Sequence, residues 1–107
     1  MANFMKLMKQ AASVQKDMER LQEQLADRTV DFASGGGMVN ATARGDGSVA
    51  SIKIDPRVVN AADTELLEDM ILAAVNGAIQ GAKDMAAKEM SRLTASLGLP
   101  GMLGGKP

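Results

Sequence analysis

Neither cysteine nor histidine occurs in this 107-residue chain, and tryptophan and tyrosine are missing as well. Without cysteine there is no disulfide framework and no thiolate metal site, which accords with a reducing, cytoplasmic setting. Without histidine, the commonest metal ligand and the commonest general base are gone. The only aromatics are two phenylalanines, so little is available to stack on an unpaired base. No apolar run is long enough for a signal peptide or a membrane span, and no membrane partner is expected. Charge of one sign is lacking too: 12 Lys and Arg face 13 Asp and Glu, a net charge of −1. A polyanion partner would therefore need cations gathered locally. What remains is a chain 46% hydrophobic, rich in alanine, valine and leucine and with nine methionines. A core of that kind is soft, and in a chain of this size it gains from association. The length implies one domain over residues 1–107.

The middle of the chain alternates with period two. Val39, Ala41 and Ala43 alternate with Asn40, Thr42 and Arg44; after Gly45-Asp46-Gly47, Ala50, Ile52 and Ile54 alternate with Ser51 and Lys53. Such a pattern marks strands with one buried face, and Asp-Gly favours the turn of a hairpin. Val49 is out of phase with Ile52, which points to a bulge or a twisted strand start near Ala50. A third strand is expected over residues 29–33, with Val30 and Phe32 inward, ahead of Gly35-Gly36-Gly37. The triple glycine does not fit a phosphate loop, which needs Gly-Lys-Ser/Thr opening a helix; here a strand follows, so it is a turn. So small a sheet cannot bury a core alone, and flanking helices or a second copy must cover it.

Ahead of the sheet, Phe4, Leu7, Ala11, Val14, Met18, Leu21 and Leu25 recur at alternating spacings of three and four. They predict a helix over residues 3–28 with a heptad stripe, flanked by Gln10, Gln15, Asp17, Gln22 and Gln24, a rim more polar than charged, and Arg28 arrives where the next apolar residue would fall. This helix packs along a partner helix or a twin subunit, or else lies on its own sheet. About 25 residues span roughly 37 Å, more than a compact sheet covers. After the sheet, Asp55-Pro56 ends the last strand, and Val58 and Val59 are expected to seal its edge. Asp63 is the expected N-cap of a second helix over about residues 64–97, with Glu65, Glu68 and Asp69 against its positive end. Its middle is small (Ala73, Ala74, Gly77, Ala78, Gly81, Ala82), which lets another element approach closely. Gly98 and Pro100 are expected to stop it, leaving 98–107 as a flexible glycine-rich tail.

Catalysis finds no support. There is no Cys-His, Ser-His or His-carboxylate set, and Asp17, Glu19, Glu23 and Asp27 mix with Lys16, Arg20 and Arg28 at spacings of ordinary surface pairs. The chain is not expected to be an enzyme, and no metal or other cofactor is expected. The cations are more informative. Lys6, Lys9, Lys16 and Arg20 outnumber Asp17 and Glu19 early in helix one, and Lys83, Lys88 and Arg92 outnumber Asp84 and Glu89 late in helix two. If both helices leave the sheet on the same side, these regions meet far from it, and the seven residues are the candidate DNA contact. The same charges would also complement the helix dipole and keep the surface soluble. Arg44 and Lys53 on the sheet are the competing site.

The order of helix, Gly-Gly-Gly-Met-Val (35–39), Gly-Asp-Gly-Ser-Val (45–49), Ile-Lys-Ile-Asp-Pro (52–56) and the stretch 66–79 resembles the YbaB/EbfC family of bacterial nucleoid-associated proteins. Leu97-Gly98-Leu99-Pro100-Gly101-Met102 extends the resemblance over nearly the whole chain. It implies an α+β fold: long helix, three-stranded antiparallel sheet, long helix. It further implies a tweezer-like homodimer in the cytoplasm and nucleoid that binds double-stranded DNA with little sequence preference. Chromosome organisation, gene regulation and DNA repair stay open as roles, with recombination or replication proteins as further partners. The family has no sharp binding motif, so the seven candidate positions rest on charge and geometry. The alternative is a helical adaptor for repair or replication proteins, favoured by the net negative charge and the neutral glutamine rim.

Overall fold

The computed structural model describes residues 2–96. The heptad stripe forms α1 (Ala2–Asp27), and the small-residue stretch lies within α2 (Thr64–Ser96). Between them β1 (Thr29–Ser34), β2 (Val39–Arg44) and β3 (Val49–Ile54) form an antiparallel sheet in sequence order, so the fold is α+β as expected. Gly98, Pro100 and the expected tail lie outside the described residues.

Glycine makes both turns. Gly35, Gly36 and Gly37 all have positive φ (60°, 67° and 94°), a run that side chains with a Cβ resist, and they carry β1 into β2. Gly47, at φ 91°, closes the second hairpin, where its N–H donates to the Arg44 carbonyl at 2.8 Å. The bulge lies where the phase break puts it: Thr42 faces Ser51 and Ala43 faces Val49, passing over Ala50. Asp63 caps α2, accepting the Leu66 N–H at 3.3 Å.

Register decides what the helix covers. Val30, Phe32 and Ser34 pair with Ala43, Ala41 and Val39, and these in turn pair with Val49, Ile52 and Ile54, so all nine share one face. α2 lies on that face over β1 and β2 and scarcely reaches β3. Val39, Ala41 and Ala43 are fully buried against Ala74, Ala78 and Ala82, with Leu67, Met70, Ile71, Val75 and Ile79 around them. The approach is close because the side chains are small: Gly77 leaves room for the Phe32 ring and Gly81 for Val30. Ser34 fixes the other end, its hydroxyl donating to the Met70 carbonyl at 2.6 Å.

Two expectations need correction. Val59 does not seal the edge: Val58 turns inward, whereas Val59 is 60% exposed. Nor does α1 lie on its own sheet, because α2 takes that face. α1 is anchored at its C-terminal end, where Leu25 is buried and the Gly45 N–H donates to the Arg28 carbonyl at 2.9 Å. Gly45 is required there, since a Cβ would meet the Leu25 carbonyl. Residues 3–13 are exposed throughout, Phe4 by 63%. The molecule is accordingly elongated, 73 Å along its longest axis and 16 Å along its shortest.

Candidate nucleic-acid interface

An uninterrupted helix sorts side chains by spacing. Two residues beyond Phe4, Leu7, Val14 and Met18 stand Lys6, Lys9, Lys16 and Arg20, with Ser13 completing the row. Two residues turn the helix by about 200°, so the cations form a stripe roughly 21 Å long opposite the apolar one. All four are exposed, and no acid precedes Asp17 in the sequence. Arg20 and Asp17 approach to 3.6 Å, an exposed contact worth little. Past Arg20 the same row continues as Glu23 and Asp27, so the stripe ends before the helix does.

Lys83, Lys88 and Arg92 are also exposed but do not form one group. Lys88 and Arg92 share a face of α2, while Lys83 projects from the far side. What joins Lys88 and Arg92 is Arg28, the single residue between α1 and β1. Its guanidinium lies 3.1 Å from Glu89, which also takes Arg92 at 3.1 Å. Arg28, Asp84, Met85, Lys88, Glu89 and Arg92 line an open cleft where the two helices meet. Lys6 and Lys9 stand about 30 Å up α1 from this junction. Within one chain the candidate cations thus fall into an α1 stripe, a junction cluster and the separate Lys83. Arg28 was not among the candidates read from sequence. The available signal was its place on the heptad stripe, where a cation interrupts an apolar row.

Arg44 and Lys53 share the uncovered polar face of the sheet. They stand roughly 14 Å apart by strand geometry. Arg44 donates to the Ser48 hydroxyl oxygen at 3.3 Å, and nearby Thr42 donates to Asp31 at 2.6 Å. That face carries fewer cations than α1 and an acid among them. Two turn carboxylates are held in the charged form. Asp46 lies below the ordinary aspartate range because Ser48 donates its hydroxyl and its N–H, and Asp55 because the Arg57 guanidinium and N–H donate to it. Both close turns and are far from the α1 stripe in sequence. Among the described residues no cluster of acids is placed to hold a metal ion, and no helix is long and apolar enough to cross a membrane.

The sequence matches the profile of the YbaB/EbfC DNA-binding family over residues 1–97. It is 49% identical over 100 residues to a nucleoid-associated protein of Pelotomaculum thermopropionicum, spanning 94% of this chain and 95% of that one. A nucleoid-associated protein of Moorella thermoacetica is 46% identical over 101 residues, spanning 94% and 97%. In fold the chain is similar to an uncharacterized Helicobacter pylori protein seen by crystallography. The TM-score is 0.69 at 23% identity, over 78% of this chain and 88% of the other.

Proposed function

Because the chain belongs to the YbaB/EbfC DNA-binding family, we propose that it is a nucleoid-associated protein of the cytoplasm that grips double-stranded DNA as a homodimer, through phosphates and with little sequence preference. The observation that carries this is the α1 stripe: Lys6, Lys9, Lys16 and Arg20 on one exposed face, with no acid before Asp17. Lysine and arginine on long stems reach phosphates without reading bases. The helices expose a single aromatic ring, Phe4, on the face of α1 away from the cations, and no Arg/Asn pair of the kind that discriminates base edges. Support for a second copy comes from the sheet, where Val49, Ile52 and Ile54 face α2's side yet stay more than a third exposed. An apolar strand face left open in this way calls for a cover, and a two-fold partner with the same face supplies one. Chromosome organisation, gene regulation and repair would all use this one contact.

A helical adaptor for repair or replication proteins is favoured by a different observation: Phe4, Met5, Leu7 and Met8 are each more than half exposed. Titration of duplex DNA over a salt series separates the two. With four to six phosphates neutralised per dimer, log K falls against log salt with a slope of about −4 to −5. Reversing Lys6, Lys9 and Lys16 of the stripe to Glu is expected to remove most duplex affinity, and reversing Arg44 and Lys53 to remove little. A flat salt response favours the adaptor, and the opposite ranking moves the site to the sheet.

A further inference from the structure

Glu89 is an acid set among cations in the half of α2 that carries the candidate contact. Its side chain is 17% exposed, and a single oxygen, Oε1, lies 3.1 Å from Nη1 of both Arg28 and Arg92. Two nitrogens at that distance from one atom are within about 6 Å of each other, a gap that one phosphate bridges with its two free oxygens. Lys88 lines the same cleft and has no carboxylate partner among the described residues. The other acid there, Asp84, is engaged elsewhere, accepting from Gln80 at 3.0 Å. A purely mechanical pin between α1 and α2 would need Arg28 and Glu89 alone. Arg92, on the same helix as Glu89, adds nothing to such a pin. Arg92 stands three residues from Glu89, the spacing of an ordinary pair on one helix, but together with Arg28 it brings two guanidiniums to one oxygen, a geometry that suits an oxyanion.

We propose that Arg28, Lys88 and Arg92 form a second phosphate site, which Glu89 fills until DNA arrives. A backbone phosphate takes the place of the carboxylate between the two guanidiniums, which keep their charge-assisted hydrogen bonds through the exchange. Resting on the DNA-binding reading above, this extends the contact from the α1 stripe to the helix junction and makes Glu89 its competitor.

Wild type, Glu89→Gln and Arg92→Gln are titrated with a short DNA duplex over a salt series, with thermal melts alongside. Arg92→Gln leaves the Arg28–Glu89 bridge between the helices in place, so it tests the site without loosening the junction. Glu89→Gln is expected to bind about three- to tenfold tighter at low salt. Arg92→Gln is expected to bind weaker by about the same factor, with a salt slope flatter by about one. Glu89→Gln binding no tighter than wild type, or Arg92→Gln matching it, overturns the proposal while duplex binding itself stands. A wild-type chain with no duplex affinity overturns both.

Discussion

Gly77 and Gly81 sit inside α2, where alanine would ordinarily favour the helix by about 1 kcal/mol. At Gly77 an added Cβ would run into three carbons of the Phe32 ring, whereas at Gly81 it would meet one methyl of Val30 at 2.7 Å. Overpacking of the first kind costs about 1–3 kcal/mol. Gly77→Ala should therefore be clearly destabilised in urea, and Gly81→Ala close to neutral, since a single methyl can turn aside. A neutral Gly77→Ala would mean that Phe32 is not held against α2. The turn carboxylates make a different test. Asp55 is charged more readily in the folded chain, because Arg57 donates to it. Its contribution is complete above the unfolded value and is lost as pH falls through the lowered folded one. The stability gap between wild type and Asp55→Asn should thus be present at neutral pH and close below about pH 4. Both aspartates were legible in the sequence as turn residues. The Arg28–Glu89 pair was not, because nothing local connects residues so far apart, and the sequence showed only that Arg28 stands where the next residue of the apolar stripe would fall.

Among the elements, strand identity was legible and strand burial was not. β2 and β3 carry similar alternation, yet Val39, Ala41 and Ala43 are fully buried while Ile52 and Ile54 are not. The difference lies in where α2 lands, which depends on the small residues that let it settle over β1 and β2. The Ala50 bulge was legible because a phase break in a period-two pattern has a local cause. For α1 the heptad stripe predicted a helix correctly, but periodicity does not say what a stripe packs on. Residues 3–13 are exposed throughout. A chain beginning at Val14 should then keep its cooperative melt while losing Lys6, Lys9 and much of its duplex affinity. Circular dichroism beside the DNA titration checks both halves of that expectation, and a collapsed melt would give α1's first half a structural role.

At the scale of the molecule, the uncovered part of the sheet makes the association state measurable. Light scattering should return about twice the chain's 11.2 kDa at micromolar concentration. Ile52→Asp with Ile54→Asp should give a monomer that keeps its secondary structure, since neither side chain is buried in the chain itself. Duplex affinity should drop with the dimer, because two linked arms bind more tightly than either alone. A double variant that stays dimeric would place the interface elsewhere. The attachment of α1 has a mechanical consequence. Leu25, the Arg28 carbonyl and the Arg28 side chain hold the helix at one end, and the rest of it is a rod. With a fulcrum one residue long and an arm of roughly 35 Å, each ten degrees of rotation sweeps the far end through about 6 Å. That is nearly two base-pair rises of a duplex. If Lys6 and Lys9 meet DNA as proposed, they would do so at the long end of a lever, where a small turn at Arg28 would become a large change in span while the sheet kept its register.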